Sequence, residues 1–402
     1  MPRLGVNYTP TKGWFHHWLD FDLDSVRRDL DSLAPLHLDH LRVFALWPLF
    51  QPNRTLIRPQ ALDQLGRLVD AAAERGLDVA VDALQGHLSS FDFIPAWLTT
   101  WHRRNLFTHP EALAGQRAYL HALGNALADR PNFLGLTLGN EVNQFSDGPH
   151  PDPDRCSPEQ AAAWLGELLA VCAEAAPGRL HTHAEYDAAW YQDGHPFTPA
   201  HAARLGDVTT VHSWVFNGTA QRYGHAASAT RTHAAYLVEL ARAWADRPGR
   251  QVWLQEVGAP APHVPPEHAA EFTEATVRAA LDCPDLFGIT WWCSHDVSRE
   301  LADFPELEYG LGLLTNDRTL KPAARALAAM ASEFEQTPPP RTTALVLDPT
   351  APRSSTAPGS SFHRTWADLT ESGHRPAVVL APDAADPIRL ALRGITDLVH
   401  SP

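Results

Sequence analysis

Two glutamates stand where the chain can carry a carboxylate into a cleft. Glu141 follows Gly139-Asn140 after the apolar run 133–138, and Glu256 ends the apolar stretch 252–254 within Trp253-Leu-Gln-Glu-Val-Gly258. A charged group at the end of a run that must be buried is presented at the edge of a core. Two such carboxyl groups facing each other across one anomeric carbon, about 5 Å apart, hydrolyse a glycoside with retention of configuration. One glutamate of this kind reads as readily as a cap on the following helix. The pair carries the catalytic reading, one carboxyl serving as acid/base and the other as nucleophile.

The elements that must bring them together are visible in the alternation of patterns. Eight segments, 4–10, 40–47, 78–86, 133–143, 179–187, 207–216, 251–259 and 286–296, read as strands. Helical patterns lie between them at 24–36, 59–75, 110–129, 158–175, 232–246, 267–281 and 321–333, with a short fifth near 199–205. Several open on proline, as helix starts do. Successive β-α units in this number predict an α/β fold closed as a (β/α)8 TIM barrel over residues 1–336. An open doubly wound sheet also alternates, but it gathers its site at one switch point. Here polar and aromatic residues crowd the carboxyl end of nearly every strand.

After residue 336 the run Gln336-Thr-Pro-Pro-Pro340 breaks the pattern, and 349–361 is rich in Pro, Ser and Thr. The segments 343–347, 362–372, 376–380 and 386–394 read as a small β-α-β-α unit. Residues 337–402 are therefore expected to form a Pro-rich linker and an accessory lobe, serving packing or homo-oligomer contact.

Composition bounds the partners. With 402 residues, 44% hydrophobic and 20% charged, the chain can bury a large core. Its net charge of −15 repels phosphate backbones and leaves no polybasic patch, so neither nucleic acid nor a membrane surface is expected as partner. No apolar run reaches spanning length, and residues 4–10 already read as a strand where an export signal would lie. Cys156, Cys172, Cys283 and Cys293 form no CxxC pair, which predicts reduced thiols and a cytoplasmic enzyme.

Asn140-Glu141 and Glu256, with their strand positions, resemble glycoside hydrolase family 5 and its clan of retaining barrels. Their acid/base lies in an Asn-Glu pair after strand four, and their nucleophile ends strand seven, which implies Glu141 as the acid/base and Glu256 as the nucleophile. The resemblance spans roughly residues 4–335. It extends to Arg42 in Leu41-Arg-Val-Phe44, His87, His212 and Trp292, which match the family's strand-two arginine, strand-three and strand-six histidines and strand-eight tryptophan. Arg42 can hold the nucleophile ionised. Asn140 can bond the sugar 2-hydroxyl, and Trp292 offers an apolar plane to a sugar face. One position departs. The family's tyrosine two residues after the strand-six histidine is Trp214 here, so Tyr186 or Tyr8 becomes a candidate for the nucleophile's second partner.

The wider pattern Asn7-Tyr-Thr-Pro10, Gly13-Trp-Phe-His-His-Trp18, Gly139-Asn-Glu-Val-Asn143 and Trp291-Trp-Cys-Ser-His-Asp296 resembles the actinobacterial exo-β-mannosidase branch of family 5. That implies release of terminal β-mannose, with the N-glycan core disaccharide Manβ1-4GlcNAc as substrate and no cofactor or metal. Endo-β-1,4-mannanase and β-glucosidase action share the same catalytic pair. Asn143, Glu185, Tyr186, Asp187, Trp291, His295 and Asp296 are the expected sugar-binding positions beside those already named. Trp14, Trp18, Trp47, Trp97, Trp101, Trp190 and Trp214 join Trp291 and Trp292 as strand-end aromatics suited to sugar faces or loop packing. Two other classes compete. His16-His17, His181-Thr-His183 and His212 with Asp296 could build a metal-dependent hydrolase, which a chelator assay separates. A catalytically dead sugar-binding barrel would keep the aromatics without needing both glutamates.

Overall fold

The computed structural model describes residues 1–101 and 103–401. Seven parallel strands form one sheet in the order Phe133–Thr137, Asp78–Asp82, His40–Phe44, Arg3–Asn7, Leu286–Trp291, Val252–Val257 and Thr209–Ser213. Each is buried along nearly its whole length, polar residues included, as strands covered on both faces are. The helices Leu23–Ser32, Pro59–Ala73, Pro110–Leu127, Pro158–Ala175, Pro199–Arg204, His233–Ala243, Ala269–Leu281 and Pro322–Ala329 wrap the outside.

The expected fifth strand is a correction. Residues 180–183 occupy its place without forming a regular ladder. On one side Leu180 N donates to Leu134 O at 2.7 Å and Thr182 N to Leu136 O at 3.0 Å. On the other, one main-chain bond, Asp207 N to His181 O at 2.9 Å, is joined by hydroxyls: Thr182 Oγ1 donates to Val208 O at 2.9 Å, and Thr210 Oγ1 to His183 O at 2.7 Å. The barrel closes through these bonds. Contact here is so close that a Cβ on Gly135 would stand 1.5 Å from Leu180 O, so only glycine fits.

Beyond the barrel, the parallel strands Ala377–Leu380, Thr343–Leu347 and Asp397–His400 form a second sheet, with Thr343–Leu347 at its centre. The third strand adds to the expected β-α-β-α unit, and Leu345, Phe362, Trp366 and Val378 join the barrel's own core. Glu239, on the barrel helix His233–Ala243, is fully buried and receives Arg242 at 2.7 Å and the lobe's Arg341 and Arg393, each at 3.3 Å. Among the described residues no helix is long and apolar enough to cross a membrane.

Candidate active site

Arg42 is the hub at the carboxyl end of the barrel. Its five N–H groups all donate: Nε and Nη2 to the two oxygens of Asp82 at 2.9 and 2.5 Å, Nη2 also to Asn140 Oδ1 at 2.6 Å, and Nη1 to Asn7 Oδ1 at 3.1 Å and Glu256 Oε1 at 2.6 Å. The guanidinium is wholly buried and thereby fixes the ends of the strands that carry its partners. Asn7 in turn donates to Gln255 O and Trp291 O, both at 3.2 Å.

Glu256 is aimed by an irregularity. The register of Val252–Val257 shifts against both neighbours between Leu254 and Val257, which places an extra residue at Gln255-Glu256. Strict alternation would send consecutive side chains to opposite faces. The bulge brings both into the polar cluster, Gln255 onto Thr137 at 3.2 Å and Glu256 onto Arg42. Glu141 reaches the same space by a different device. Its backbone is left-handed at φ 49, a conformation that costs a non-glycine residue roughly 1–3 kcal/mol. Gly139 before it packs so closely that a Cβ would stand 1.7 Å from Leu84 O.

His212 joins the two glutamates. Its Nδ1 is 2.8 Å from Glu141 Oε1 and 3.3 Å from Glu256 Oε2, while Nε2 faces Gln255 Oε1 at 3.4 Å. Both ring nitrogens therefore face acceptors, the environment of an imidazolium. Burial alone would push His212 down, but the charges of Glu256 and Glu141 hold it above its ordinary value. Burial works to raise Glu141, yet the hydrogen bond and charge of His212, with His87, bring it below the usual carboxylate range. Burial raises Glu256, and His212 and Arg42 offset this only in part. Glu141 is held down and His212 up across the hydrogen bond they share, so the two glutamates and the histidine titrate as a coupled group. Glu141 Oε2 also accepts from Gln144 at 2.7 Å.

Models of known protein families include no match to this sequence, and curated proteins include none either. Solved structures do match. The GH5_18 of Streptomyces cattleya, crystallised as a glutamate-to-alanine variant in complex with Manβ1-4GlcNAc, gives a TM-score of 0.98 at 66% identity, covering 100% of this chain and 99% of that one. A GH5_18 of Bifidobacterium longum subsp. infantis gives 0.96 at 46% identity, covering 100% and 97%. A GH5_18 variant of Bifidobacterium longum subsp. longum, also in complex with Manβ1-4GlcNAc, gives 0.97 at 44% identity, covering 100% and 96%. The chain belongs to glycoside hydrolase family 5.

In this family 5 hydrolase a cleft of about 250 Å³ opens over the two glutamates. Of the expected positions, His87, Asn140, Glu141, Tyr186, Trp214, Glu256 and Trp292 line it. Arg42 and His212 lie directly beneath. Asn140 has its oxygen on Arg42 and donates to His87 O at 2.7 Å. His87 is held by Asp92 at 3.0 Å, and although burial works to lower it, Asp92 and Glu141 keep it above its usual range.

The remaining expected sugar ligands lie elsewhere. Asn143 is fully buried and braces the main chain of Tyr186, accepting from its N at 3.0 Å. Glu185 is paired with His183 at 2.5 Å inside the barrel. Asp296 accepts from Lys321 at 2.7 Å and Gly312 N at 2.8 Å, and His295 is fully buried with its ring on Ser32 and Ser294 at 3.0 Å. Trp291 is a buried strand residue, as strand alternation demands if its neighbour Trp292 faces the cleft. Asp187 sits behind the wall, bonded by Asn217 at 3.1 Å; burial and the charge of Glu141 lift it to about 7. Trp14, Trp18, Trp47, Trp97 and Trp190 are buried packing residues, and Trp101 is exposed.

The second partner of Glu256 is Trp214, whose indole N–H donates to Oε2 at 3.1 Å. Tyr8 is turned away, donating to Asp29 at 2.8 Å. The histidines of the metal alternative do not assemble: His181 bonds Ala176 O at 2.9 Å, His183 takes Glu185, and Asp296 takes Lys321. Sequence reasoning missed Asp82, Gln144, Phe216, Asn217, Ser89 and Glu308. Asp82 ends the apolar run Val79-Ala-Val81, the same signal that marked the two glutamates. Glu308 lies in a loop without periodicity and carries no such signal.

Proposed function

We propose that this protein is a retaining exo-β-mannosidase that releases mannose from Manβ1-4GlcNAc of N-glycan cores. The observation that carries the reading is the pair Glu141 and Glu256, which bring a carboxylate oxygen each within 4.8 Å of the other and of a ring nitrogen of His212. A retaining pair stands about 5–5.5 Å apart, whereas an inverting pair needs roughly 6.5–9.5 Å to admit a water. The complexes of two related GH5_18 enzymes with Manβ1-4GlcNAc support the sugar.

In this reading Glu256, held ionised by Arg42 and Trp214, attacks the anomeric carbon. Glu141 delivers to the leaving oxygen the proton it shares with His212. Once the mannosyl-enzyme has formed, the negative charge on Glu256 is gone, and Glu141 takes a proton from the attacking water. Tyr186 and Asn217 border the Glu141 side, where the leaving sugar sits. Trp292 packs edge-on to Phe44 at 5.7 Å and to Trp214 at 6.4 Å, and supplies the floor for the mannose face. The lobe after residue 336 acts as an accessory, pinned by its arginines to Glu239. Four free cysteines support a reducing compartment, the cytoplasm, and an imported disaccharide as substrate.

The test is to follow Manβ1-4GlcNAc by proton NMR and to trap the enzyme with a 2-deoxy-2-fluoro-β-mannosyl donor. β-Mannose should appear before its anomer, and the label should map to Glu256. α-Mannose appearing first, or a label elsewhere, would overturn the mechanism. Internal cleavage of mannan, or a preference for β-glucosides, would replace the substrate.

A further inference from the structure

A third carboxylate faces the same cleft. Glu308 belongs to the turn Glu306–Gly310 in the long loop after the last barrel strand, and it lines the cavity with Glu141 and Glu256. Ser89 Oγ donates to Glu308 Oε2 at 3.0 Å, joining this loop to the tip of the hairpin formed by Gly86–Leu88 and Phe91–Phe93. The bond spans from the loop after one barrel strand to the loop after another and walls off one side of the cleft.

The wall is built stiff. Ser89 and Ser90 at the hairpin tip hold φ of 51 and 71, the left-handed pair that a two-residue turn requires and that Asn-Gly normally fills. Under the turn, Phe91 packs on Phe304 with ring centroids 4.9 Å apart, and Phe304 packs on Trp14 at 4.8 Å. Arg299 pairs with Glu306 at 2.5 Å and lies over the Tyr309 ring, fixing the other side. Glu308 is thus held on a rigid wall rather than on a free loop.

Its position relative to the two glutamates assigns it a side. Glu308 lines the cleft with Trp292, which packs on Trp214, the donor to Glu256, whereas Gln144 on the other side bonds Glu141. Glu308 therefore borders the nucleophile's half of the cleft, where the terminal sugar lies, and Glu141 faces the leaving sugar. Burial lifts Glu308 to about 7, with Ser89 and Trp292 opposing and the charge of Glu256 adding to the rise. Glu308 is half-buried at the cleft wall, and its carboxylate gains from hydroxyl donors that replace the water a bound sugar displaces.

We infer that Glu308 is a specificity-determining residue that accepts hydrogen bonds from the 3-, 4- or 6-hydroxyl of the terminal mannose, with the Ser89–Glu308 bridge blocking any sugar beyond it. This inference rests on the β-mannosidase reading and deepens it. A carboxylate is the strongest acceptor a protein can aim at sugar hydroxyls, and a charged hydrogen bond is worth roughly 10- to 100-fold in affinity.

The experiment compares wild type with Glu308→Gln and Glu308→Ala on 4-nitrophenyl β-mannoside and on its 3-deoxy, 4-deoxy and 6-deoxy analogues, after circular dichroism shows each variant folded. Wild type should lose about 10- to 100-fold in kcat/KM when the contacted hydroxyl is removed. The two variants should lose a similar factor on the parent glycoside and then be nearly indifferent to that one deletion. A uniform loss across all four substrates, or no loss on the parent, overturns the role of Glu308. Failure of the wild type to cleave any β-mannoside would instead sink the underlying β-mannosidase reading, so the two failures are distinguishable.

Discussion

The indole N–H of Trp214 donates to Oε2 of Glu256 at 3.1 Å, at the place where family 5 enzymes commonly present a tyrosine hydroxyl. An indole can donate but neither accept nor relay a proton, so it favours the ionised form of Glu256 in the free enzyme. Trp214→Phe keeps an aromatic wall and deletes the donor. Its kcat/KM should fall roughly 10- to 100-fold, with the acid limb of the pH profile moved to higher pH because Glu256 ionises less readily. An unmoved acid limb would show that Arg42 and His212 alone set the charge on Glu256.

The pH profile of kcat/KM should be bell-shaped. Glu256 must be ionised, and burial raises it above 4.5, so activity should fall as pH drops through that raised value. The proton shared by His212 and Glu141 must be present. His212 lies above 6.5 despite burial, because Glu256 and Glu141 hold its charge, so activity should fall again as pH rises through the raised value. Rates measured across pH 4 to 10, roughly the span of these two groups, test both limbs. Activity that stays level into the alkaline range would place the reactive proton on another group.

Glu141→Ala separates the acid from the base role. On a poor leaving group such as the GlcNAc of Manβ1-4GlcNAc, kcat should fall by roughly 10²- to 10⁴-fold. Dinitrophenyl mannoside departs without a proton, so its glycosylation step should be far less affected. Added azide should then attack the mannosyl-enzyme from the face that Glu141 vacated and yield β-mannosyl azide. Equal impairment on both leaving groups, with no azide adduct, would remove Glu141 from the acid/base role.

Glu239 makes a stability prediction remote from the cleft. Removing its charge leaves Arg341 and Arg393 without their ion-pair partner and Arg242 with Asp285 alone, so Glu239→Gln should cost about 3–5 kcal/mol, read as a lower denaturant midpoint. Burial works to raise Glu239, but the three arginines hold it below 4.5 in the fold. Its stabilisation is therefore present above 4.5 and is lost as pH falls through the lower folded value. The gap between wild type and variant should close in that acid range, and a gap that persists unchanged there would rule out this origin.

The β-α alternation, the two glutamates and their strand positions were legible in the sequence because each depends on local periodicity. An apolar run ended by a charged residue marks a strand delivering that residue to the barrel's mouth, and Asn140-Glu141 and Glu256 obey it, as does the overlooked Asp82. Arg42, His87 and Trp292 became readable only through their order along the chain, which a family pattern supplies.

Tertiary structure alone decided which neighbour of each expected residue faces the cleft. Strand-end position allows a side chain either face. Asn143, Glu185, Trp291 and Asp296 turned inward or into the packing, while Trp292 turned to the cleft. The bulge at Gln255-Glu256 is set by pairing on both sides of that strand and leaves no local mark. Residues 180–183 carry the composition of a strand, but across the barrel seam the hydroxyls of Thr182 and Thr210 join a single main-chain bond in place of a regular ladder. Glu308 comes from a loop whose course is fixed by Phe304 on Phe91 and by Ser89, contacts more than 200 residues apart in sequence. Spacing along a chain reports what is periodic or adjacent. Where distant loops meet over a cleft is a matter of packing, and only the folded molecule holds that information.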